Sequence, residues 1–113
     1  MLRIENLERV FRKESEISKM LSSPRRLHIL YELRGGEKTV SELSRLTGLR
    51  QANVSQHLAL MRHSRMVVER RVGNSVFYHV ADERITKACD LMQTVLLDQA
   101  SEDSKLIRAA TRR

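Results

Sequence analysis

The sequence predicts a mainly α-helical domain carrying one small β-hairpin, and three observations lead there. Apolar residues recur at helical spacing through most of the chain. Between Met66 and Val80 the period switches to alternation on either side of Gly73-Asn74. Helix start and stop signals (Ser23-Pro24, Gly35-Gly36, Thr39 with Glu42, Thr47-Gly48, Asp82) cut the helical stretches into pieces. A chain of 113 residues forms one domain, because it buries roughly two-thirds of the surface its unfolded form exposes, enough for one core. Within 1–113 the pattern sets off a first helix (1–22), a central body (23–81), a last helix (82–101) and a basic tail (102–113).

Each element has a local cause. From about Arg3 to Leu21, the residues Leu7, Val10, Phe11, Glu14, Ile17, Ser18 and Leu21 fall at helical spacing and most are apolar. Ser23 then offers an N-cap, and Pro24 takes the first helical position, where its missing N–H costs nothing. Leu27, Leu30, Tyr31 and Leu33 are the expected inward face of this second helix, which Gly35-Gly36 ends. Thr39 and Glu42 have capping-box spacing and open a short third helix with Leu43 and Leu46 inward. After Thr47-Gly48, the stretch from Arg50 to Met61 places Val54, Leu58 and Met61 on one side and crowds polar residues into its first two turns. Two short helices joined by a tight glycine turn, the second polar at its start, are the layout of a helix-turn-helix.

Met66–Val72 and Ser75–Val80 read as strands around a two-residue loop whose first residue is glycine, as a type II′ turn prefers. Val76, Tyr78 and Val80 share one face of the second strand; Ser75, Phe77 and His79 share the other. A basic hairpin after a helix-turn-helix is a wing, so the fold expected is a winged helix-turn-helix. Asp82 caps a last helix with Ile85, Ala88, Cys89, Met92, Val95 and Leu96 on one side. The tail from Ser101 turns polar and ends in Arg112-Arg113, and the sequence does not decide between an extended helix and a frayed end.

Composition narrows the function. The net charge is +7, and 16 arginines outnumber 5 lysines. An imbalance of this size points to a polyanionic partner, and arginine's planar fork of donors suits phosphates and guanine edges. Between Thr39 and Val80, arginines 45, 50, 62, 65, 70 and 71 face only Glu42 and Glu69, so the excess falls in the expected DNA-binding half. No apolar run reaches the ~18–20 residues of a membrane span and no signal peptide opens the chain, which points to the cytoplasm. A single cysteine, Cys89, fits a reducing compartment. No nucleophile–base pair, paired carboxylates or phosphate-cradling glycine loop occurs, so no enzymatic activity is expected. Histidines 28, 57, 63 and 79 form no i, i+4 pair; neither a metal site nor a cofactor is expected.

The start of the fourth helix would enter the major groove of double-stranded DNA, so Arg50, Gln51, Asn53, Gln56 and His57 are candidates for base edges and Ser55 for a phosphate. Arg70 and Arg71 on the wing are candidates for phosphate or the minor groove. Adjacent residues of a strand face opposite ways, so one of the pair can turn to Glu69 or another carboxylate.

The run Arg25-Arg26-Leu27-His28-Ile29-Leu30-Tyr31-Glu32-Leu33, with Ser41-Glu42-Leu43, Thr47-Gly48-Leu49, Val54-Ser55-Gln56-His57-Leu58 and Gly73–Val80, resembles the ArsR/SmtB family of winged-helix repressors over about residues 17–97. The resemblance implies a homodimer built from the first and last helices, a pseudo-palindromic operator, and a response to metal or redox signals. The family's sensing residues are not matched. The helix Ser41–Leu46 has no thiol where a Cys-x-Cys cluster belongs. Asp82 is followed two places on by Arg84, no histidine follows His79, and one cysteine cannot form a redox pair within the chain.

The apolar surface of the first and last helices exceeds what one subunit can cover, and Leu7, Val10, Phe11, Ile17, Cys89, Met92, Val95 and Leu96 form the expected dimer interface. A symmetric dimer would set two reading helices about 34 Å apart, one turn of B-DNA. Cys89 has two readings: a small packing residue, or, near the two-fold axis, a redox-active partner in an intersubunit disulfide. The function expected is a homodimeric, sequence-specific repressor. A DNA coater without sequence preference and a protein-docking winged helix are the alternatives.

Overall fold

The computed structural model describes residues 3–111 and orders them as α1 (Ile4–Leu21), α2 (Pro24–Leu33), α3 (Val40–Thr47), α4 (Gln51–His63), β1 (Val67–Val72), β2 (Ser75–Val80) and α5 (Glu83–Thr111). Helices α2, α3 and α4 and the hairpin close around Ile29, Leu30, Leu33, Leu43, Val54, Leu58, Met61, Met66 and Val67. This is the winged helix-turn-helix the sequence predicts.

Local chemistry sets the boundaries. Ser23 Oγ accepts from the Arg26 backbone N–H at 3.4 Å, with Pro24 in the first turn. At α3 the box is closed in both directions: Thr39 Oγ1 accepts from the Glu42 N–H and Glu42 Oε1 accepts from the Thr39 N–H, each at 3.2 Å. Gly48 ends α3 at φ +76°, a left-handed conformation that glycine takes without a Cβ penalty.

The strands pair antiparallel from Val67 opposite Val80 to Val72 opposite Ser75, which leaves Gly73-Asn74 as the loop. Of these two only Gly73 has positive φ, +59°, as a type II′ turn requires. Lys38 bridges Tyr78 through two backbone hydrogen bonds of 2.8 and 3.0 Å. The loop between α2 and α3 thus acts as a short third strand that fixes the wing to the body.

Two expectations are corrected. The inward face of α2 is Ile29, Leu30 and Leu33, whereas Tyr31 is 46% exposed. Tyr31 lies at the margin facing α5, in a shallow crevice shared with Thr86 and Cys89, with the Arg34 guanidinium 4.2 Å above its ring. Leu46 is 36% exposed rather than inward. In the eight-residue α3 only Leu43 is buried, so the contact stripe is a single residue deep. Beyond residue 101, where the sequence leaves the state of the chain open, α5 continues as a helix to Thr111. Its extension contains no glycine or proline and carries a Glu102–Lys105 pair at 3.3 Å. The expected tail is therefore helical through 111, and Arg112 and Arg113 lie outside the described residues.

Candidate nucleic-acid interface

Helix α4 buries Val54, Leu58 and Met61 and turns Ala52, Ser55, Gln56 and Ala59 outward. Its first residues divide into two groups. Arg50, Gln51, Ser55 and Gln56 are exposed; Asn53 and His57, four residues apart on one flank, are half-buried. Gln51 Nε2 donates to Ser41 Oγ at 3.2 Å, tying the start of α4 to the start of α3. No side chain caps α4 at Arg50, which leaves the first backbone N–H groups and the positive end of the helix dipole open beside a guanidinium.

His57 faces inward on its Nδ1 side, where it accepts from Arg26 Nε at 3.2 Å. Partial burial, followed by the positive charges of Arg26 and Arg25, holds its pKa below the ordinary histidine range. Both effects favour the neutral imidazole.

The hairpin separates its two arginines. Arg70 shares a face with Phe77, lies over that ring at 5.4 Å, and is held by both oxygens of Glu37, with Nε to Oε2 at 3.0 Å. The pairing lowers the Glu37 pKa and raises that of Arg70. On the opposite face, Arg71 has a side chain 73% exposed and reaches Glu69 only at 3.7 Å. Glu69 is already engaged by Arg62 of α4 at 2.8 Å. Thus Arg71 is the more loosely held wing cation, open to a ligand, and Arg70 is committed to Glu37.

Arg45, at the end of α3, and Arg65, just after α4 at φ +61°, are exposed and form no salt bridge among the described residues. Both contribute to the charge excess around α4, yet neither has a motif that singles it out. The role of Arg26 also has no local signature, because its contact to His57 spans 31 positions.

The expected dimer residues on α1 and α5 are uncovered in the single chain: Phe11 is 54% and Met92 60% exposed, with Leu7, Val10, Ile17, Val95 and Leu96 also exposed. Cys89 differs from them, being half-buried against the core, and burial, then the neighbouring Asp90, push its thiol pKa up. A raised pKa makes it a poor thiolate. Among the described residues no three His, Cys, Asp or Glu side chains are grouped to hold a metal ion, and no helix is long and apolar enough to cross a membrane.

A family profile described as "Bacterial regulatory protein, arsR family" matches residues 23–68. The regulator KmtR of Mycobacterium tuberculosis is 37% identical over 70 residues, 62% of this chain but 54% of that protein, so the chain spans about half of this relative's length. The biofilm growth-associated repressor of Xylella fastidiosa is 29% identical over 87% of this chain and 86% of its own. The transcriptional activator HlyU of Vibrio cholerae is 31% identical over 80% and 84%. Among solved structures, the homodimeric winged helix-turn-helix DNA-binding domain Mb0332 of Mycobacterium bovis superposes with a TM-score of 0.80 at 25% identity, covering 88% of this chain and 93% of that one.

Proposed function

The chain belongs to the arsR family of bacterial regulatory proteins, and we propose that it is a cytoplasmic, homodimeric, sequence-specific transcriptional repressor. The observation that carries this reading is the exposed polar start of α4, where Arg50 and nearby Arg45 form no salt bridge among the described residues, together with the 73% exposed Arg71 of the wing, which reaches the already engaged Glu69 only at 3.7 Å. Such a surface enters a major groove, where Gln56 can pair with adenine and Arg50 with guanine or a phosphate. Asn53 and His57 border it on the half-buried side, Ser55 reaches a phosphate, and Gln51 holds α4 against α3. Arg71, with the Gly73-Asn74 tip, follows the backbone into the adjoining minor groove.

Two such surfaces related by a two-fold axis match a pseudo-palindromic operator, and a bound dimer excludes polymerase from an overlapping promoter. The homodimeric Mb0332 domain and the Xylella repressor support the assembly and the direction of control. Cys89 serves as packing between α5 and the core.

The test is fluorescence anisotropy of the protein titrated onto a labelled fragment from upstream of its own gene, with an unrelated fragment as control, at several salt concentrations. Affinity about 10³-fold or more above the control supports the proposal. Equal, salt-sensitive affinity for both fragments favours a DNA coater, and no binding at low salt overturns a DNA-binding role.

A further inference from the structure

Arg26 joins three elements from the first turn of α2. Its Nη1 donates to the Met20 carbonyl of α1 at 3.0 Å and lies 3.6 Å from the Met20 sulfur, while its Nε donates to His57 Nδ1 of α4 at 3.2 Å. The chemistry of this last bond is one-directional. A guanidinium has donors and no acceptor, so the imidazole nitrogen facing it must be unprotonated. The neutral ring then carries its proton on Nε2. Among the described residues Nε2 has no protein partner and no buried side-chain nitrogen or oxygen is left unpaired, so Nε2 keeps contact with water.

We infer that Arg26 is a positioning residue of the DNA-reading surface: it fixes His57 in the Nε2–H tautomer, so that α4 presents an N–H donor at position 57. A donor there matches a phosphate oxygen or the O6 and N7 acceptors of guanine, and it mismatches the exocyclic amine of cytosine. Without Arg26 the ring would sample both tautomers and could offer an acceptor at the same place. The Met20 contact fixes the guanidinium from the other side, so the orientation of the imidazole depends on where α1 ends.

The structural half of this inference stands without DNA; the reading of guanine or phosphate rests on the proposed DNA-binding role. The experiment keeps the two apart. Long-range ¹H–¹⁵N NMR of the free, full-length protein at pH 7 should show a pyrrole-type Nε2 and a pyridine-type Nδ1 for His57, and the reverse pattern overturns the inference without any variant. Arg26→Met, which keeps the aliphatic stem, should give a mixed-tautomer signal; an unchanged signal overturns the role of Arg26. On a DNA fragment that the parent protein binds, Arg26→Met and His57→Phe should each weaken binding roughly 10-fold or more, and the double variant should be no weaker than the worse single one. Full affinity in His57→Phe, or additive losses in the double variant, overturns the donor role. Failure of the parent protein to bind any DNA would overturn the proposed function and leave the NMR result to decide the tautomer.

Discussion

Arg70 and Arg71 are neighbours in sequence with opposite fates, and the alternation of a strand is the cause. Arg71→Ala should weaken DNA binding across all sequences and lower the slope of log affinity against log salt by about 1, the signature of one lost phosphate contact. Arg70→Ala should leave that slope unchanged, because Glu37 already occupies its guanidinium. Anisotropy titrations at three salt concentrations decide it, and equal slopes for the two variants would contradict the assignment. Asp82 provides a second case. Arg84, through its side chain and then its backbone N–H, holds the Asp82 carboxyl well below the usual carboxylate range, at about 2. The folded form therefore prefers the carboxylate, and its contribution to stability is fully present above pH 4 and is lost as the pH falls through about 2. Melting at pH 5 and at pH 2.5 should show a larger loss for the parent protein than for Asp82→Asn; parallel losses would show that the pair contributes nothing to acid stability.

Elements were legible wherever their ends are coded locally. Ser23-Pro24, Thr39 with Glu42, Gly48 and Gly73-Asn74 each specify a backbone state within four residues, and the structure places a boundary at each one. Thr39→Ala should accordingly cost about 1 kcal/mol and lower Tm by roughly 4–8 °C. Thr39→Ser, which keeps the accepting oxygen, should recover most of it in the same thermal melt; equal losses would mean that the cap is not the cause. The features that could not be read off are those decided between elements. The burial of Ile29 in place of Tyr31 depends on which face of α2 meets Leu43, Val54 and Leu58, and the engagement of Arg70 depends on a glutamate 33 positions away. The outward face of α4 was readable from its polar residues. That Gln51 and His57 are tethered, to Ser41 and Arg26, was not, because both bonds arise from packing between helices. Helix α5 beyond residue 101 is a further case: the segment has neither stop signal nor apolar stripe, so composition alone left its state open.

At the scale of the molecule, one chain is too extended to be complete. Its radius of gyration is 18.1 Å, whereas a packed domain of this length should have about 13 Å. The excess comes from two projecting helices: α1 buries no residue and α5 buries only Thr86. An 18-residue helix that packs only Met20 and Leu21 against the core gains little tertiary support, so the apolar stripes of α1 and α5 call for a cover, and a second copy offers two identical stripes. Phe11→Glu combined with Leu96→Glu places carboxylates in that contact without touching the core around Leu58. In sedimentation velocity this variant should run as a monomer where the parent runs as a dimer. Its circular dichroism should lose helical signal up to that of α1, with α2 to α4 retained. Affinity for a two-half-site fragment should fall at least ~100-fold, because linkage of the two reading helices is lost while each keeps its own contacts. A parent protein that sediments as a monomer with α1 intact would remove the basis for the dimer. A monomeric variant that still binds the full site as tightly would show that each subunit reads DNA alone.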